Sequence, residues 1–147
     1  MDILEFIIQI ISAAIGSLGF SLLFNSGKRN LIPATIGGAL CWLNYMLCIE
    51  MGIGVFVAAV IAAAAVQSYS EIFARVMKSP ATVFYIPSII PLVPGGSLYY
   101  TMYYAAISDW ADFRFYGWQT LQVALGIAVG TSFVSALLLF LKRNEKA

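Results

Sequence analysis

The stretch IPSIIPLVPGG, residues 86–96, places three prolines and two adjacent glycines inside the longest uncharged run of the chain, residues 79–108. Pro87, Pro91 and Pro94 carry no N–H, so the carbonyls of Val83, Pro87 and Ile90 lose their helical donors. Each interior proline costs about 3 kcal/mol in a soluble helix, too much to repeat in a segment that only has to be straight. Gly95–Gly96 permits backbone angles closed to other residues, and Ser97 stands where an N-cap would open a second helix through LYYTMYYAA. The pattern predicts a helix, a break and a second helix. Residues 81–93 make about 20 Å of helix and residues 97–107 about 16 Å, at 1.5 Å per residue. The break therefore falls near the middle of a layer about 30 Å thick.

The remainder of the chain identifies that layer as a membrane. Of its 147 residues, 61% are hydrophobic and 10% charged, and there is no histidine; ordinary soluble domains carry about 25% charged residues. Five uncharged runs, residues 6–27, 30–49, 51–70, 79–108 and 115–141, each reach or exceed the roughly 20 residues that cross a bilayer core. The expected fold is an all-α integral membrane protein, one transmembrane domain over residues 1–147. Its five spans are expected at 3–25, 31–50, 52–70, 81–107 and 116–141, the fourth broken by the PxxxPxxPGG element. The first run has an acidic leader (Asp2, Glu5) and is longer than a signal-peptide core, so it reads as a span.

Orientation follows from the basic residues. Lys28, Arg29, Arg75, Lys78, Lys142, Arg143 and Lys146 fall on one side of the five-span arrangement, and only Arg114 falls on the other, beside Asp109 and Asp112. The positive-inside rule then puts the N-terminus outside and the C-terminus in the cytoplasm. A fourth segment that dipped in and returned would leave three basic residues at the end of the last run on the wrong side, so it is read as a full crossing.

Small residues recur every fourth position: Ala13, Ser17 and Ser21; Ala58 and Ala62; Ala59 and Ala63; and Gln122, Gly126 and Gly130. Such rows let helix backbones approach closely, within the chain on the plainer reading or against a partner or second copy, and some oligomerisation is expected. Among polar residues in the runs, Gln9, Asn44, Gln67 and Gln119 read as lying near span ends. Gln122, further in and on the glycine row, is the better candidate for a buried contact. Cys41 and Cys48, a heptad apart, read as packing residues and not as a metal site.

These observations exclude several functions. Without histidine or a mid-membrane Asp or Lys there is no nucleophile–base set, so no enzyme is expected. No cofactor or metal is expected either, and a net charge of +1 offers nothing to nucleic acid. Irregular backbone at mid-membrane is tolerated only when buried in protein or lining a watery cavity. A half-helix N-terminus facing that cavity attracts anions, as in the discontinuous helices of secondary transporters. A carboxylate held by Gly95, Gly96 and Ser97 would suit this arrangement. The candidate substrate-binding residues are therefore Pro87, Pro91, Pro94, Gly95, Gly96, Ser97, Tyr100 and Gln122. The plainer reading of the element is a packing kink, and Tyr103 and Tyr104 fit an interfacial aromatic belt.

The stretch PATVFYIPSIIPLVPGGSLYYTM, residues 80–102, resembles the signature of the threonine/serine exporter family, in its second, smaller half. The segment FN…R…LIP…IGGALCWLNY, residues 24–45, is similar to that family as well, departing from it at Ser26–Gly27, where Val-Pro is expected. The resemblance implies a cell-membrane, multi-pass subunit that exports threonine- or serine-like amino acids by secondary active transport. In some members the substrate is a dicarboxylate such as succinate. It also implies a larger family subunit as partner, since only the second half is matched. A different class of role, a non-transporting assembly subunit for that partner, is discriminated by where the substrate binds.

Overall fold

The computed structural model describes residues 3–144, which exclude Asp2 and Lys146 of the arguments above. Six α-helices follow one another: α1 (Ile3–Leu23), α2 (Leu31–Glu50), α3 (Val55–Met77), α4 (Ala81–Ile89), α5 (Gly95–Ala106) and α6 (Trp110–Asn144). No strand occurs among the described residues. By length and composition α1, α2, α3 and α6 can each cross a membrane, and α4 with α5, bent by 48° at their break, passes the same test as a pair, for up to five crossings among the described residues.

The small-residue rows are consumed inside this bundle. Ala13, Ser17 and Ser21 form the buried stripe of α1, and Gly38 of α2 comes so close that an added Cβ would collide with Ser17 Oγ. Ala58, Ala59, Ala62, Ala63 and Val66 are the buried face of α3. Gly126 and Gly130 of α6 lie directly on that face: a Cβ on Gly126 would stand 2.6 Å from Ala59 Cβ and 2.9 Å from the Phe56 carbonyl. Backbone contact of this kind replaces the hydrophobic drive that lipid cannot supply. Of the two uses read for the Gly126–Gly130 row, packing within the chain is the one seen here, against α3. Buried Cys41 packs in the same core as Ala59, Val66, Ile89, Leu92 and Val123.

Four connections end their helices alike. Asn25, Gly52, Lys78 and Ser108 each adopt positive φ. In each case the next N–H reaches back to a carbonyl of the last turn: Ser26 to Ser21, Ile53 to Cys48, Ser79 to Ala74 and Asp109 to Tyr104, at 2.9–3.1 Å. This left-handed closure satisfies carbonyls that a helix end leaves open. Asp109 then opens α6, its Oδ1 accepting the N–H groups of Ala111 at 3.2 Å and Asp112 at 3.4 Å. The last helix consequently starts at Trp110, a turn and a half before the expected 116.

The proline element divides residues 81–106 into unlike halves. α4 is interior: Phe84, Pro87 and Ser88 are fully buried, and Ser88 Oγ donates to the Ala34 carbonyl at 3.0 Å. A 3-10 turn, Ile90–Leu92, follows, and Val93 is extended. The Ile90 carbonyl, left without a helical donor by Pro94, accepts from Val93 N–H at 3.0 Å. α5 has no buried residue and packs chiefly on α6.

Two local expectations are corrected here. Gly95 and Gly96 do not take left-handed angles; they are the first two residues of α5. Ser97 is not the N-cap, because Pro94 holds that place and Ser97 lies in the first turn. The turn is made by Val93 and by Pro94 at ψ 53°, so no positive φ is needed.

Candidate functional site

The 48° bend carries α5 away from α4, and a cavity of about 440 Å³ lies beside the break. One wall is the break itself, Pro91 to Ser97, continued by Tyr100. The others are Trp42 and Tyr45 of α2 and Tyr116, Gln119 and Val123 of α6. The residues read from the sequence separate into two groups. Pro91, Pro94, Gly95, Gly96, Ser97 and Tyr100 come together around this space. Pro87 does not, since it borders a smaller cavity with Asn25, Ser26 and Thr82. Gln122 does not line it either; the amide that does belongs to Gln119.

The glycine pair presents bare backbone. A Cβ built on Gly95 or on Gly96 would meet nothing within 4 Å. These glycines are therefore not demanded by packing, unlike Gly126 and Gly130. Leu98 N–H closes the first turn on the Pro94 carbonyl at 3.0 Å, and Gly95 N–H bends back to Val93 O at 2.7 Å. Helix geometry leaves the N–H groups of Gly96 and Ser97 with no acceptor inside α5, at its positive end.

Ser97 ties α5 to α6. Its Oγ donates to Pro94 O at 3.2 Å and accepts from Thr120 Oγ1 at 3.0 Å, while Thr101 Oγ1 donates to Ser97 O at 2.7 Å. The hydroxyl thus braces the first turn from the side, leaving the backbone donors as the anion-seeking groups. Around them stands an aromatic enclosure. Tyr100 lies 5.1 Å from Tyr116, Tyr104 stacks on Tyr116 at 5.5 Å, and Trp42 sits 5.5 Å from Tyr45 between ring centroids. Trp42 is held by its indole N–H, which donates to Gln9 Oε1 at 3.1 Å.

Trp42 and Tyr45 lie in the family-like segment of residues 24–45 without being marked there as site residues, and Tyr116 and Gln119 lie outside both quoted segments. The one signal of the latter pair is helical phase: Tyr116, Gln119 and Val123 recur at intervals of three and four on α6. Among the described residues, no lysine, arginine or carboxylate lines the cavity. Its chemistry is two backbone donors, one amide and four aromatic rings, an arrangement that can hold a small solute.

Residues 9–137 match the family described as Threonine/Serine exporter, ThrE. No solved structure matches the chain.

Proposed function

The chain belongs to the threonine/serine exporter family and is a multi-pass membrane protein; from that premise we propose that it binds a small amino acid in the cavity at the α4–α5 break and carries it out of the cytoplasm. The observation that carries this reading is the open space over Gly95 and Gly96 at the start of α5. A substrate carboxylate accepts from Gly96 and Ser97 N–H, where the helix end contributes about half a positive charge. The substrate ammonium faces the rings of Trp42, Tyr45, Tyr100 and Tyr116, whose π-faces attract cations. Gln119 supplies an amide to a side-chain hydroxyl. This division favours a zwitterion over a dicarboxylate, because among the described residues no basic side chain lines the cavity to receive a second carboxylate.

In this reading the N-terminus is outside and the C-terminus cytoplasmic, following the basic residues. The chain works as a subunit beside a larger family member. The support is α5, which has no buried residue and whose cavity side is left open by this chain alone. Efflux of radiolabelled threonine, serine and succinate from cells with and without the chain, each with the larger subunit present, tests the proposal. Loss of threonine and serine efflux on deletion supports it. Loss of succinate efflux alone replaces the substrate assignment, and efflux unchanged for all three refutes the role.

A further inference from the structure

Arg114 is the one basic residue on the side opposite the other seven, and the substrate cavity makes no use of it. It stands at the top of a second space, a groove of about 600 Å³ between α5 and α6 lined by Leu98, Thr101, Phe113, Trp118, Thr120 and Leu121. We propose that this groove binds an anionic phospholipid, with the headgroup phosphate on Arg114 and an acyl chain along Leu98, Trp118 and Leu121.

Charge complementarity selects the occupant. Arg114 Nε donates to the Trp110 carbonyl at 3.2 Å, which orients the guanidinium and leaves its terminal N–H₂ groups for a ligand. No carboxylate pairs with it among the described residues. Asp109 Oδ1 is engaged by the N–H groups of Ala111 and Asp112. Asp112, two positions before Arg114, projects about 200° away around the helix. A planar guanidinium with free donors matches a phosphate in two-point fashion.

Below the cation the groove is mainly apolar. Thr120 Oγ1 is occupied by the Tyr116 carbonyl and Ser97 Oγ, and Thr101 Oγ1 by Ser97 O, so neither hydroxyl offers its proton to the groove. Gly117 keeps the floor low where α5 passes, since a Cβ there would lie 3.5 Å from Thr101 Cγ2. From Arg114 to Leu121 the helix descends about 10 Å, the step from headgroup level into acyl chain. A guanidinium at the rim of an apolar groove attracts a lipid phosphate by charge and by paired hydrogen bonds. Such a lipid would also give α5, which packs chiefly on α6, a second surface to rest on.

The test uses the full chain in nanodiscs with Trp118 as the remaining tryptophan (Trp42→Phe, Trp110→Phe). Quenching of Trp118 is compared between acyl-brominated phosphatidylglycerol and acyl-brominated phosphatidylcholine at equal mole fraction. The expected result is a preference of about five-fold for phosphatidylglycerol, the ratio that corresponds to roughly 1 kcal/mol for one arginine–anionic-lipid contact. Arg114→Gln removes the preference, and Arg114→Lys retains most of it; circular dichroism checks that each variant is folded. Equal quenching by the two lipids in the unsubstituted groove overturns the proposal, as does a preference that survives Arg114→Gln. Because neither lipid is a transport substrate, failure here leaves the exporter reading untouched.

Discussion

Substitution at Gly96 separates the cavity's role from the bundle's stability. An added Cβ meets nothing within 4 Å, so Gly96→Ala is sterically free in the unliganded protein. It replaces glycine with a better helix former and stabilises α5 by at most about 1 kcal/mol. The same methyl group stands where the substrate carboxylate approaches the Gly96 N–H. A hydrogen bond to a charged group contributes about 1.5–3 kcal/mol, so weakening it raises the half-saturating threonine concentration roughly 10- to 150-fold. Gly96→Leu extends the obstruction into the 440 Å³ space and stops transport. The assay is threonine counterflow in proteoliposomes, with the larger subunit co-reconstituted and the inserted amount quantified. Gly96→Leu inserting normally and transporting at the wild-type rate would refute the reasoning, because the space over Gly96 would then be irrelevant to substrate.

Other substitutions probe the remaining parts. Gly126→Leu pushes side chain into Ala59 Cβ and the Phe56 carbonyl, and the latter, as backbone, cannot yield; a loss of about 1–3 kcal/mol is expected as a lower unfolding temperature in detergent, with the oligomeric state unchanged. Gln119→Leu is expected to impair threonine counterflow several-fold, about what one lost hydrogen bond of roughly 1 kcal/mol gives, whereas Gln122→Leu, outside the cavity, leaves it near wild type; the opposite order contradicts the site. For orientation, Asp109→Cys is expected to react with an impermeant maleimide in intact cells and Lys78→Cys only after lysis, against a background of buried Cys41 and Cys48.

The sequence carried the architecture because its signals are ones the bilayer enforces. Uncharged runs of about 20 residues and a proline every three or four positions have few other solutions in lipid. The small-residue rows were legible as close-packing surfaces, but not which surface each one meets. Gly126 and Gly130 could have faced a second copy as well as α3, and only the fold pairs them with Ala59 and Ala63. Errors of detail came from local cues with two readings. Gly95–Gly96 reads as a left-handed turn, yet Val93 and Pro94 make the turn and the glycines serve as bare helix backbone. The last helix, read as starting at 116, starts at Trp110 behind the Asp109 cap. Trp42 and Tyr45 come from a helix distant in sequence and reach the site only because α2 packs on α4 and the 3-10 turn.

The central claim is that a substrate carboxylate rests on the first turn of α5. Dipolar recoupling in solid-state NMR measures this directly, between threonine enriched with ¹³C at the carboxyl group and chain enriched with ¹⁵N in glycine and serine, co-reconstituted with the larger subunit in lipid. A hydrogen bond of about 2.9 Å from nitrogen to oxygen predicts dephasing of the carboxyl signal by backbone nitrogen. That dephasing is expected to fall in Gly96→Ala and to disappear when excess unlabelled threonine displaces the ligand. A displaceable threonine signal with no dephasing from glycine or serine nitrogen would place the carboxylate elsewhere and contradict the account.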